Sequence, residues 1–242
     1  MSNQKTDLSR VVKIIPTYNE KGNIASLVGA IFEHTPEASV LVVDDNSPDG
    51  TAVIVKELQG SYPNLQLHRR SDLKGFGKSY IEGFKKIAVD EKYDHVVMMD
   101  ADFSHDFKEV PAMAAKLNEY DMVVGSRYIN GGRIENWSLW RKLLSRFANF
   151  YARTILSAKT RDLTTGFMCF RKNILNTIHP ETIKSDGYAF LVEFKYRTEK
   201  AGLKIIEHPI VYTERREGES KMSFAVIAES VLMPWRLRFS RK

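Results

Sequence analysis

An α/β fold with a mainly parallel sheet flanked by helices is the class this sequence predicts, and three observations predict it. Short β-rich runs alternate with helix-like stretches through about residue 127. Such alternation argues for a largely parallel sheet covered on both faces. Polar clusters follow the runs at Pro16, Asp44, Asp100 and Ser126. Right-handed crossovers put the loops after the strands on one edge, where open α/β sheets bind ligands, so these clusters are expected to share one crevice.

Taken in order, Val11 to Ile15 is a strand stopped by Pro16, and Lys21 to Glu33 a helix. Val40 to Val43 is a second strand, ending at Asp44-Asp45. Asn46-Ser47-Pro48-Asp49-Gly50 is dense turn chemistry before a helix over Thr51 to Leu58. Leu65 to His68 is a third strand, and Gly75-Phe76-Gly77 opens a helix to about Val89. Val96 to Met99 is a fourth strand, Val110 to Asn118 a helix and Met122 to Gly125 a strand. Beyond these the pattern is less regular. It offers a basic, aromatic-rich helix over Trp140 to Leu156 and a loop from Asp162 leading into a strand by Phe170. A helix over Tyr188 to Lys200, extended segments over Lys204 to Tyr212, a polar loop over Glu214 to Lys221 and an amphipathic helix over Ser223 to Met233 complete it. With no internal repeat and no linker, the expected organisation is one catalytic domain, 1–222, and a basic amphipathic C-terminal helix and tail, 223–242.

The 242 residues suit one large domain, and 43% hydrophobic residues can bury a full core. The single cysteine, Cys169, excludes an intramolecular disulfide or a cysteine-built zinc cluster and fits a reducing cytoplasm. No secretory signal is visible, and no run approaches the ~18 apolar residues that span a bilayer. Net charge is +6, and Trp235 to Lys242 carries four cations and no anion. That segment reads as a solvated tail or as a contact for anionic lipid.

Asp100-Ala101-Asp102 follows an apolar strand directly. Two carboxylates so spaced at a strand end can share one hard divalent cation, Mg²⁺ or Mn²⁺, although one of them could equally cap the next helix. Arg127 ends a strand on the same edge, where a planar guanidinium suits phosphate oxygens; a surface salt bridge is the plainer reading. Gly75-Phe76-Gly77-Lys78 lacks the spacing of a P-loop and reads as helix entry and as a segment that closes over a bound ligand. The six histidines show no metal spacing, and His105 reads as structural. Trp137, Trp140 and Trp235 lie among Arg and Phe residues and could meet lipid or core. Asp162 and Glu193 are the carboxylates outside the metal motif best placed to act as a base. Their plainer readings are a turn residue and a helix partner.

Ile14-Ile15-Pro16-Thr17-Tyr18-Asn19-Glu20, Asp44-Asp45-Asn46-Ser47-Pro48-Asp49-Gly50-Thr51 and Asp100-Ala101-Asp102, in this order, resemble the inverting glycosyltransferases of family 2. The resemblance spans roughly residues 10 to 222. It implies a GT-A fold, a Rossmann-like nucleotide-sugar-binding unit with a mixed, mainly parallel sheet. Asp100-Ala101-Asp102-Phe103-Ser104-His105, Gly125-Ser126-Arg127-Tyr128, Asp162-Leu163-Thr164-Thr165-Gly166-Phe167, Gly187-Tyr188-Ala189-Phe190 and Gly218-Glu219-Ser220-Lys221 narrow it to the dolichol- or polyprenol-phosphate mannose synthases.

The resemblance implies that Pro16, Tyr18, Glu20, Val43 and Asp45 surround the nucleoside. It puts Asp100, Ala101 and Asp102 at the diphosphate and an Mg²⁺ or Mn²⁺ ion, with Ser104 a weaker candidate ligand. It also implies that Arg127, Arg215 (or Arg216) and Lys221 supply cations to the phosphates. The expected catalytic set is Asp102, Arg127, Arg215 and Lys221. The expected partners are a GDP-mannose donor, a polyprenyl or dolichyl phosphate acceptor, the cytoplasmic membrane surface and a small membrane-anchoring subunit. The same chemistry with UDP-glucose, or a non-catalytic nucleotide-sugar-binding subunit, are the rivals. Nucleic acid is not an expected partner, because acidic strand ends repel phosphate unless a metal intervenes.

Overall fold

The structure, a computed structural model, describes residues 7–71, 75–214 and 224–239, the last segment with side chains from 231 onward. One sheet holds seven strands in the order β3-β2-β1-β4-β7-β5-β8. They are β1 (Val11–Thr17), β2 (Ser39–Asp44), β3 (Leu65–Arg69), β4 (His95–Met98), β5 (Met122–Ser126), β7 (Met168–Arg171) and β8 (Ile205–Pro209). All neighbours are parallel except β7, which runs antiparallel to both β4 and β5. The sheet is therefore mixed and mainly parallel. A separate parallel pair joins β6 (Arg133–Ile134) to β9 (Val211–Tyr212).

The period-2 alternation of β1 assigns its two faces. Val11 and Ile15 belong to one core cluster, with residues of α1 (Lys21–His34), α2 (Thr51–Leu58) and α4 (Val110–Lys116). Val12 and Ile14 belong to the other, with residues of α3 (Phe76–Ala88), α6 (Ile174–Ile178) and α7 (Gly187–Lys200). Lys13 falls on the first face at 0% exposure and donates from Nζ to Thr35 Oγ1 (2.9 Å) just past α1. Gly77 lets α3 meet α7 closely, since a Cβ there would stand 2.8 Å from the Phe190 ring.

Two boundaries differ from the sequence reading. Pro16 does not stop β1; it pairs in register with Val43. Pairing of β1 with β4 ends at Ile14↔Met98, so the side of Pro16 away from β2 has no strand that needs its missing N–H. At the C-terminus, α8 (Phe224–Phe239) runs past Met233 through Pro234. A proline inside a helix removes one hydrogen bond and disturbs the turn before it. Here Tyr151 Oη donates to the Val231 carbonyl (2.9 Å) and accepts from Trp235 Nε1 (2.8 Å), tying that turn to α5 (Leu139–Leu156). Met233 is buried in a third cluster with Ala152 and Leu156 of α5 and Ala189, Val192 and Tyr196 of α7.

Candidate active site

Three loops leave the C-terminal ends of β1, β2 and β4, and each holds one non-glycine residue in the left-handed region: Asn19 (φ 60°), Asn46 (φ 55°) and Phe103 (φ 62°). Asparagine visits that region readily, whereas a bulky phenylalanine does so at a cost and marks a local constraint.

After β2 the two aspartates divide the work. Asp44 is the turn-former: it accepts from Thr17 Oγ1 (2.9 Å), Ser47 N (3.0 Å) and Ser47 Oγ. Asp45 reaches towards α3, accepting from Ser79 Oγ (2.8 Å), Gly75 N (3.0 Å) and the Arg70 guanidinium. Asp186, at the start of α7, accepts from Gly77 N (2.6 Å), so helix entry is the role seen for Gly75 to Gly77. Tyr18 and Pro16 are half-buried at the end of β1. The half-buried Glu20 accepts from Asn23 Nδ2 (3.0 Å). Val43 and Ala101 are buried in the two core clusters, so any contact they make with a ligand would be through the main chain.

After β4, Asp100 keeps about a third of its side chain exposed, Asp102 is 6% exposed and Ser104 is buried. Asp102 Oδ1 accepts from Ser104 N (3.1 Å) across the strained Phe103. The Ser104 hydroxyl is buried with no hydrogen-bond partner among the described residues, and burial pushes the pKa of Tyr212 up to about 12. His105 is structural, as its sequence context suggested. Burial lowers its pKa to about 4, its Nδ1 accepts from Asp100 N (3.0 Å), and its ring stacks on Phe167 at 5.1 Å.

These oxygens fit a hard divalent cation. Among the described residues no group of three or more His, Cys, Asp and Glu could hold a metal, so a cation here would have only the two carboxylates and, more weakly, Ser104 from the protein. That is the set for Mg²⁺ or Mn²⁺ shared with a phosphate ligand rather than caged by protein.

Arg127, at the end of β5, is not a surface residue. It is 7% exposed and grips Asp162, which is fully buried, at two points: Nε to Oδ2 and Nη2 to Oδ1, both 2.7 Å. Its backbone N–H also donates to Asp162 (3.0 Å), and Nη2 donates to Thr164 Oγ1 (2.8 Å). Burial opposes both charges, but each partner outweighs it. The Arg127 pKa lies above its ordinary value and the Asp162 pKa below. The guanidinium carbon lies 5.3 to 5.8 Å from the ring centres of Tyr128, Trp137 and Tyr212. Arg141 stacks on Trp137 at 4.1 Å and pairs with Glu214 (2.9 Å). Thr213 Oγ1 donates to Phe103 O (3.4 Å), which brings the chain that leads into residue 215 beside the Asp102 turn. Arg215, Arg216 and Lys221 lie outside the described residues.

Asp162 thus is a turn residue, as its plainer reading had it, and also Arg127's partner. Glu193, 5% exposed, accepts from Arg197 and Ser185 as a helix partner. The sequence reading missed the groups that hold the segment from Lys159 to Thr165. Glu199 accepts from the backbone of Lys159 and Thr160, Glu207 from that of Arg161 and Asp162, and Asn149 from that of Leu163. Lys195, fully buried, donates to the carbonyls of Leu163 (3.0 Å) and Thr165 (2.6 Å). A lysine four residues before a glutamate reads as a solvated helix pair, so no local signal marks it.

Comparison with known proteins agrees with this architecture. The family model described as Glycosyl transferase family 2 matches residues 13–178. An undecaprenyl-phosphate mannosyltransferase of Micrococcus luteus is 38% identical over 223 residues, which are 92% of this chain and 91% of that protein. A polyprenol monophosphomannose synthase of Mycolicibacterium smegmatis is 36% identical over 233 residues, 95% of this chain and 88% of that protein. Among solved structures, glucosyl-3-phosphoglycerate synthase from Mycobacterium tuberculosis, in complex with Mn²⁺, UDP and glucosyl-3-phosphoglycerate, superposes with a TM-score of 0.66. It has 15% identity, over 94% of this chain and 79% of that one. A mannosyltransferase from Pyrobaculum calidifontis in complex with GDP-Man and Mn²⁺ gives 0.59 at 19% identity, over 95% of this chain and 60% of that one.

Proposed function

Because the chain belongs to glycosyl transferase family 2, we propose that it transfers mannose from GDP-mannose to a polyprenyl (dolichyl-type) monophosphate, with inversion, releasing GDP. The observation that carries this reading is that the Asp100–Asp102 turn and a buried guanidinium, that of Arg127, follow β4 and β5 at the same edge of one sheet. Both occur in a chain 36–38% identical to two proteins named for mannosyl transfer to polyprenyl phosphates.

In this reading the loops after β1 and β2, with Pro16, Tyr18, Glu20, Val43 and Asp45, take the nucleoside. Asp100, Asp102 and, more weakly, Ser104 would hold Mg²⁺ or Mn²⁺ where the diphosphate binds, with Ala101 main chain beside them. The ion, when bound, neutralises charge on the departing GDP. A phosphomonoester with a second pKa of roughly 6 is already an anionic nucleophile at pH 7, so no side chain need remove a proton. What the protein must supply is cations to hold two anions together, and Arg127, Arg215 and Lys221 are the residues assigned to that task. A phosphate oxygen bonds to the anomeric carbon from the face opposite GDP as the carbon–oxygen bond to the diphosphate breaks.

The acceptor is a lipid, and the reading extends to a membrane surface, on the cytoplasmic side. Among the described residues no helix is long and apolar enough to cross a bilayer. Yet α5 exposes Leu139, Trp140 (73%), Leu143, Phe147 (62%) and Phe150, and α8, packed beside it, exposes Val231, Leu232, Trp235 and Phe239 (72%). Arg146, Arg236 and Arg238 are exposed on the same two helices. Apolar faces with cations around them suit the interface of a bilayer rich in anionic lipid.

The test is direct: purified protein, Mg²⁺, radiolabelled GDP-mannose or UDP-glucose, and a polyprenyl phosphate, with label counted in the organic phase. Label transferred from GDP-mannose is the expected result. Transfer from UDP-glucose alone would replace the sugar, and transfer from neither would overturn the activity.

A further inference from the structure

We propose that Lys195 is a positioning residue that holds the Leu163–Thr165 backbone in place and, through Asp162 and Thr164, sets the reach of Arg127 toward a phosphate. This rests on the reading of Arg127 as a phosphate-binding group. Lys195 projects from the middle of α7 at 0% exposure, and its ammonium meets three carbonyls: Leu163 (3.0 Å), Thr165 (2.6 Å) and, in its own helix, Leu191 (3.5 Å). An ammonium has three N–H donors and no acceptor, so these carbonyls match its full capacity. A buried lysine without a paired carboxylate is expensive, so a fold that retains one needs the bonds it makes.

Those bonds fall on the one segment that fixes Arg127. Leu163 and Thr165 bracket Thr164, whose hydroxyl receives Arg127 Nη2 (2.8 Å) and Asn149 Nδ2 (2.9 Å). Asp162 Oδ1 receives Thr165 N (3.2 Å) as well as Arg127 Nη2, so a shift of this turn moves both groups that hold the guanidinium. From the opposite side, Asn149 Oδ1 accepts from Leu163 N (2.7 Å). The turn is therefore clamped between α7 and α5, and Arg127 uses Nε and Nη2 on it, so that among the described residues the Nη1 edge is left for a ligand anion. Asp162 and Arg127 on the turn and β5, and Glu207 on β8, are the charged groups that face Lys195 together with the neutral His105.

The experiment is a double-mutant cycle on transfer kinetics with Arg127→Ala, Lys195→Met and their combination, measuring KM for each substrate. Methionine nearly matches lysine in length and removes a buried charge, so the fold is expected to survive; Lys195→Gln serves if it does not. Lys195→Met should raise, at least tenfold, KM for the same substrate that Arg127→Ala affects, leave KM for the other unchanged, and add less than twofold in the Arg127→Ala background. Additive losses, an unchanged KM, or equal rises in both KM values with a lowered urea midpoint would make Lys195 a purely structural residue and overturn the proposal. If Arg127→Ala itself has no kinetic effect, it is the reading of Arg127 that fails, and the single-variant arms separate the two failures.

Discussion

Arg127 and Asp162, 35 residues apart in sequence, meet in a two-point ion pair with both distances at 2.7 Å, and the carboxylate is wholly buried. Breaking such a pair from one side leaves an uncompensated buried charge, which costs about 3–5 kcal/mol. Asp162→Asn should therefore lower the free energy of unfolding by that order in urea titrations, whereas a paired replacement of both residues by apolar ones should cost less. As a turn residue alone, Asp162 would make Asp162→Asn milder for turnover than Arg127→Ala. With the pair in view, the expected loss from Asp162→Asn moves toward that of Arg127→Ala, while Glu193→Gln stays mild. The folded-state pKa of Asp162 is depressed, so its contribution to stability is present above the ordinary 3.8 and is lost as pH falls below it.

The metal reading yields the second expectation. Asp102 is 6% exposed and holds the Ser104 N–H, so Asp102→Ala removes one turn hydrogen bond and one metal oxygen. We expect a stability loss of about 1 kcal/mol but a fall in kcat of about 100-fold or more, and abolition of transfer by chelation with recovery on Mg²⁺ or Mn²⁺. Full transfer in excess EDTA would remove the metal from the mechanism.

How much of this was legible in the sequence follows from where each determinant lies. Buried strands with carboxylates directly after them, such as Val40 to Asp45 and Val96 to Asp102, are local signals, so the sheet edge and the acidic turns could be read. The reversal of β7 could not, because direction in a sheet depends on which strand a segment pairs with, and β7 inserts between β4 and β5 only in three dimensions. Arg127 was legible as a cation at a strand end, but its partner was not, since the pair closes across 35 residues. The side chains that satisfy the irregular segment from Lys159 to Thr165 come from α5, α7 and β8 and carry no mark in their own surroundings.

Two buried lysines predict an alkaline gain in stability. Burial lowers the pKa of Lys13 to about 8 and that of Lys195 to about 7, against an ordinary value of 10.5. Between those limits the unfolded chain binds more protons than the folded one, so the penalty of burying each charge is full below the folded value and fades as pH rises toward 10.5. Lys13 donates to Thr35 Oγ1, which itself donates to the Ile31 carbonyl, so Lys13→Met leaves Thr35 with a partner. At about 1.4 kcal/mol per pKa unit, Lys13→Met should stabilise the protein at pH 7 by on the order of 3–4 kcal/mol and flatten the pH dependence above it. A destabilised Lys13→Met protein in urea titrations at pH 7 would show that the amine's hydrogen bond outweighs its desolvation.

The apolar faces of α5 and α8 carry the last expectation. The side chains of Phe224, Val226 and Ile227 and residues 240–242, all within the amphipathic C-terminal helix and tail expected from the sequence, lie outside the described residues, but Val231, Leu232, Trp235 and Phe239 are exposed. Met233 points the other way, into the cluster with Ala152 and Leu156, so α8 is both a packing helix and an exposed face. Deleting 223–242 would disturb that packing as well as any lipid contact, which makes point substitutions on α5 the cleaner test. Trp140 and Phe147 are 73% and 62% exposed, and burying a large apolar side chain contributes about 1.5–3 kcal/mol. Trp140→Glu with Phe147→Glu should therefore lower co-sedimentation with anionic liposomes at least tenfold without moving the urea midpoint, and added salt should weaken what binding remains. Val89→Glu, a substitution of an exposed apolar residue just past α3, is the control and should bind as the unaltered protein does. Equal binding by the α5 variant and this control would mean that the face meets something other than lipid.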